Sequence, residues 1–110
     1  MQISDREVGQ ALIFDVSGDI DLSNSPQLRK ALLREIRENR RPCVAMNLIE
    51  VRYIDSSGVA SLIEGLKASR DVGTRFILFG LSGSAREVLR LSRLLKIFEV
   101  YDNEEQALAS

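Results

Sequence analysis

The chain has 110 residues, 45% of them hydrophobic and 28% charged. That suits one small soluble domain and excludes disorder, a collagen-like repeat or coiled coil as the whole architecture. Fifteen basic residues against sixteen acidic ones leave a net charge of −1, too little for charge alone to drive nucleic-acid binding. No apolar run approaches the roughly 20 residues of a membrane-spanning helix, so no membrane insertion is expected. The polar start MQISDREVGQ lacks the apolar core of a signal peptide. The single cysteine, Cys43, cannot form an internal disulfide. Together these features predict a cytoplasmic protein.

The chain contains no histidine and no tryptophan. Ser-His-Asp and Cys-His catalysis are thereby removed, with most zinc sites. With two tyrosines and four phenylalanines, a platform for stacking bases is hard to build. CxxC, GxxxxGK[ST] and GxGxxG are all missing from the sequence. The expectation is a protein that is not an enzyme, with no catalytic residues, metal or cofactor.

No linker or repeat divides the chain, so residues 1–110 are read as a single domain. Residues 3–8 alternate weakly and predict an edge strand pairing across Gly9-Gln10 with a second strand, the apolar run 11–16. Ser25-Pro26 predicts a helix start, with serine capping the free N–H groups and proline in the first turn. Leu28, Ala31, Leu32 and Ile36 make one apolar stripe, opposite Arg29, Lys30, Arg34, Arg37 and Glu38. That helix should end near Asn39. The run 43–48 reads as a strand buried on both faces, with Cys43 as a small buried hydrophobe. Val59, Leu62, Ile63 and Leu66 predict a second helix, closed by Gly73 in a left-handed conformation.

Residues 75–79 predict another interior strand. Ser84 to Glu87 has the form of a capping box at the start of a third helix, with Ala85, Val88, Leu89 and Ser92 facing inward. Residues 98–101 are a short last strand and 104–109 a short final helix. Helices alternate with strands from residue 11 onward, so the fold class is α/β with a mainly parallel sheet. So few helices should cover mainly one face of it.

One stretch looks chemical: Tyr53-Ile54-Asp55-Ser56-Ser57-Gly58. It places two hydroxyls and a carboxylate where a strand ends and a helix begins, the end of a parallel sheet at which ligands gather. A phosphate on either serine would meet free N–H groups and the positive end of the helix dipole. Asp-Ser-Ser-Gly ahead of an apolar helix is also a plain N-cap, and the residue types fit both readings. No base lies near in sequence to activate a serine for hydrolysis.

Three pieces in order resemble the STAS domain family, in particular its stand-alone anti-sigma-factor antagonists. They are Val16-Ser17-Gly18-Asp19-Ile20-Asp21 followed by Ser25-Pro26, Asn47-Leu48 through Gly58, and Leu91 through Phe98. The resemblance covers nearly the whole chain. It implies a small mixed sheet of about five strands with helices mainly on one face. It also implies a phospho-switch at Ser56, the serine that follows the motif aspartate, with Asp21, Asp55, Ser57 and Gly58 around it. The implied partners are an anti-sigma factor that is also a serine kinase and a PP2C-type phosphatase, with sigma-factor-dependent transcription as the output. The family's commonest form continues Gly-Leu-Gly, whereas this chain has Gly58-Val59-Ala60. STAS subunits that bind a transporter ATPase or a signalling scaffold also vary there, and that is the alternative reading.

Overall fold

The protein is described here by a computed structural model covering residues 1–109. Seven residues on each side of Gly9-Gln10 form an antiparallel hairpin, β1 (Gln2–Val8) and β2 (Ala11–Ser17), with Val8 opposite Ala11. Gly9 takes the left-handed conformation (φ 60°) that such a tight turn demands. The predicted edge strand is therefore present.

From β2 onward, strands alternate with helices: α1 (Ser25–Leu33), β3 (Cys43–Glu50), α2 (Ser56–Val72), β4 (Arg75–Phe79), α3 (Gly83–Leu91), β5 (Glu99–Tyr101) and α4 (Glu104–Ala109). The sheet order is β1-β2-β3-β4-β5, with every pair after the first parallel. The mixed sheet follows from the connections. A two-residue turn can only reverse the chain, while a helical crossover returns it in the same direction.

Period-two alternation sorts the central strands onto two faces. Leu12, Phe14, Val16, Val44, Met46, Leu48, Phe76 and Leu78 join one core with Leu28, Leu32 and Ile36 and with Val59, Leu62, Leu66, Ala85 and Leu89 of the three longer helices. Ile13, Ala45, Ile77 and Phe79 face the other way and pack with Ala107 of α4. Helices thus lie mainly on one face, and the second face is closed by a single helix of six residues. Arg6 holds that helix down, bonding Glu104 at 2.5 Å and Asp15 at 2.7 Å.

Four local expectations need correction. Ser25 does not cap α1: Asn24 occupies the cap position and its side chain turns back to the preceding loop. Ser25 is buried inside the first turn, and its carbonyl accepts from the Ser61 hydroxyl at 3.1 Å. The helix does end near Asn39, its C-cap, as expected. It widens into a π-helical turn over Arg34–Glu38, which buries Glu35 beside Arg41. Cys43 is half-buried, its thiol pKa pushed up by burial. The cap of α3 is Ser82, whose hydroxyl accepts from the Ala85 amide at 3.1 Å.

Ser84 instead donates to the Arg52 carbonyl, Glu87 pairs with Arg90, and Ser92 is exposed. Ser82→Ala is therefore expected to lower stability by about 1 kcal/mol, the usual worth of an N-cap. Glu87→Ala should cost less than half of that, as loss of an exposed pair does. Urea unfolding midpoints compare them, and the reverse ranking would restore the capping box.

Candidate functional site

The motif sits where β3 has run out and α2 begins. Val51 and Ile54 are buried, and Ile54 forms an isolated parallel bridge with Ile20. The bridge ties the motif to the loop after β2. Ile20 N–H donates to the Tyr53 carbonyl at 3.0 Å, and Asp55 N–H donates to the Ile20 carbonyl at 3.0 Å.

Asp55 is the N-cap of α2. Its Oδ1 accepts from the Ser57 amide at 2.9 Å, the Ser57 hydroxyl at 2.6 Å and the Gly58 amide at 3.0 Å. Its Oδ2 accepts from the Leu22 amide at 3.1 Å. One carboxylate thus satisfies the first free donors of the helix and pins a loop 33 positions away in sequence. The Ser57 hydroxyl foremost, then the Gly58 amide, hold the Asp55 carboxyl below the usual carboxylate range.

The two serines part company here. Ser57 is half-buried and turned into the Asp55 cap. Ser56 is exposed at the first residue of α2, and among the described residues its hydroxyl has no hydrogen-bond partner. Gly58 is buried, and a Cβ there would come within 2.7 Å of Ile54 Cγ2 and 2.8 Å of Ile20 Cγ2. Glycine at 58 lets helix, motif and loop close on one another.

Asp21 lies in the pinned loop. Its Oδ1 accepts from the Ser23 amide at 3.0 Å, and its carbonyl accepts from the Ser25 amide at 2.8 Å. The structure therefore brings the segments carrying Asp21, Asp55, Ser56, Ser57 and Gly58 to one end of the sheet. Two exposed apolar side chains stand out beside them: Leu22, which the sequence did not mark, is 75% exposed, and Tyr53, which opens the chemical stretch, is 51% exposed. For Leu22 the available signal was an apolar residue set between Asp21 and Ser23-Asn24. Ala60, where the family pattern has glycine, is exposed one turn after Ser56. Its methyl group therefore alters surface and leaves the core untouched. Among the described residues no cluster of three or more His, Cys, Asp or Glu could hold a metal.

The STAS domain family profile matches residues 2–107. The chain belongs to the STAS domain family. Among its relatives is an anti-sigma-B factor antagonist of Listeria monocytogenes, 30% identical over 105 residues, covering 94% of this chain and 90% of the relative. An anti-sigma F factor antagonist of Paenibacillus polymyxa is 26% identical over 108 residues, covering 98% of this chain and 92% of that one. The fold is shared with an anti-sigma factor antagonist from Mycobacterium paratuberculosis, at TM-score 0.85 and 23% identity over 98% of this chain and 91% of that one. No helix of this STAS domain is long and apolar enough to cross a membrane, among the described residues.

The split duty of Asp55 gives a direct test. Asp55→Asn keeps one oxygen to cap the helix but replaces the acceptor of the Leu22 N–H by an NH₂ donor. Hydrogen exchange at Leu22 should accelerate while Ser57 and Gly58 stay protected. A lowered carboxylate pKa contributes stability above its unfolded value and loses it as pH falls through the folded one. The thermal midpoints of parent and variant should therefore differ at neutral pH and converge below roughly pH 4. Unchanged exchange at Leu22 would remove the link between loop and motif.

Proposed function

We propose that this STAS domain is an anti-sigma factor antagonist that works as a phospho-switch at Ser56. The unphosphorylated form binds an anti-sigma factor and frees a sigma factor for transcription. The anti-sigma factor, acting as a serine kinase, phosphorylates Ser56 and so releases the antagonist. A PP2C-type phosphatase resets it. The observation that carries this reading is the contrast between the serines: Ser56 is exposed and unengaged, while Ser57 is committed to the Asp55 cap. The Leu22 and Tyr53 side chains beside it supply exposed apolar area of the kind that partner surfaces use. The relatives named anti-sigma factor antagonists support the antagonist part of the reading. The chain itself is a binding module without catalysis, and it would act in the cytoplasm with no direct contact to nucleic acid.

A phosphate on Ser56 would lie at the positive dipole end of α2, worth roughly 0.3–2 kcal/mol, while the Ser57 and Gly58 amides stay bonded to Asp55. Asp55 and Asp21 oppose the new charge and offset part of that. The fold therefore tolerates the modification, while the surface offered to a partner turns strongly negative. Incubation with the cognate kinase and ATP, followed by peptide mapping, tests the assignment. Phosphate on Ser56 is the expected result; phosphate on Ser57 alone, or on neither serine, overturns it.

A further inference from the structure

A second surface lies at the opposite end of the sheet. Helix α3 leaves from the C-terminal end of β4, and the chain returns through residues 92–98 to enter β5, where Glu99 pairs with Ile77. The returning segment is therefore far from Ser56, which follows the C-terminal end of β3. From Gly83 to Phe98 the chain carries Arg86, Arg90, Arg93 and Lys96 against the single acid Glu87. In a chain with slightly more acids than bases, that is a local concentration of positive charge. Glu87 engages Arg90, and Arg86 reaches Asp102 at 3.6 Å. Arg93 and Lys96 have no ion-pair partner among the described residues.

Two exposed large apolar side chains stand in this same stretch, Leu91 at 69% and Ile97 at 42%. In the same stretch of chain a cavity of about 420 Å³ is lined by Arg90, Arg93, Leu95 and Lys96. A hollow lined by one apolar side chain, Leu95, and by three cations matches one kind of ligand: an apolar side chain flanked by carboxylates.

We infer that this surface docks a short acidic segment of a partner protein, seating one apolar side chain in the cavity and its flanking carboxylates on Arg93 and Lys96. A concave site favours a protruding side chain over a flat lipid surface. Residues 83–97 contain no aromatic ring on which a base could stack. The inference does not depend on the phospho-switch, since no residue near Ser56 takes part.

Arg93 makes a clean test possible. It holds a left-handed conformation, φ 59°, where glycine is at ease and a side chain is not. Arg93→Gly removes the cation and relieves backbone strain together, so lost binding cannot be ascribed to lost folding. Short random peptides displayed on phage are selected against the full chain, and the enriched ones are labelled and titrated by fluorescence anisotropy. Enrichment of Leu, Ile or Phe flanked by Asp or Glu is expected. Affinity should fall at least tenfold, about 1.4 kcal/mol, in Arg93→Gly/Lys96→Gln, with a thermal midpoint no lower than the parent's. Amide shifts on binding should fall within residues 86–98. Any of the following overturns the proposal: no enrichment, enriched peptides without acids, affinity unchanged in the double variant, shifts centred on 53–62, or stronger binding to phosphatidylglycerol vesicles or single-stranded DNA than to the peptides.

Discussion

Ser56→Asp is expected to weaken binding to an anti-sigma factor by roughly 10- to 100-fold, and Ser56→Ala to leave it within about twofold. The hydroxyl of Ser56 supports nothing inside the domain, so its removal costs little. A carboxylate at the first position of α2 suits the dipole there, so the charged variant stays folded and any loss is a loss of binding. At an interface the same charge is desolvated without a partner, which costs several kcal/mol when complete. Aspartate carries less charge than phosphate, hence the smaller range.

Calorimetry with each variant decides the matter. Equal affinities of parent and Ser56→Asp would count against the switch. Phosphorylation itself should shift amide resonances in residues 19–25 and 53–62, the two segments joined through Ile20, Leu22 and Asp55. Shifts spreading through Phe76–Phe79 would instead signal a global change of conformation.

Gly80→Ala should destabilise the domain by about 2–4 kcal/mol, combining backbone strain with overpacking. Gly80 follows β4 with φ 76°, and its N–H donates to the Tyr101 carbonyl at 3.1 Å. A Cβ there would fall 2.2 Å from Ile49 Cγ1 and 3.2 Å from the Ile49 backbone nitrogen. The side chain of Ile49 is half exposed and can swing away, but its backbone is fixed in the β3 region. Adding Ile49→Ala should therefore recover the side-chain part of the clash and leave the backbone contact and the φ part, giving an intermediate urea midpoint. Full recovery would show that strain contributes nothing, and no loss in Gly80→Ala would refute the close approach altogether.

What could be read from the sequence follows the range over which each signal acts. β2, β4 and α2 were legible because apolar period and bounding glycines are local, and Gly73 does close α2 in the left-handed conformation. Caps were misplaced by one or two residues where serines cluster. Ser82 and Ser84 are equivalent in type and both hydroxyls reach the Arg52 carbonyl; only the Ala85 amide, which donates to Ser82, separates their duties. The π-helical turn at Arg34–Glu38 has no residue signature in REIRE. At the site, the helix start and the chemical character of residues 53–58 were legible. The difference between Ser56 and Ser57 was not visible in residue types, because it depends on which hydroxyl turns toward Asp55. The bond from Asp55 to the Leu22 amide joins segments that only the Ile20–Ile54 bridge brings together.

The order of strands across the sheet repeats their order along the chain. Each strand therefore adds beside its immediate predecessor, and none has to be threaded between two already paired. No closure then spans more than one helical crossover, the shortest separation at which parallel neighbours can pair. During synthesis from the N-terminus the hairpin can form first and serve as a template on which β3, β4 and β5 deposit in turn. The loop that receives Asp55 is then in place before the helix it pins has emerged.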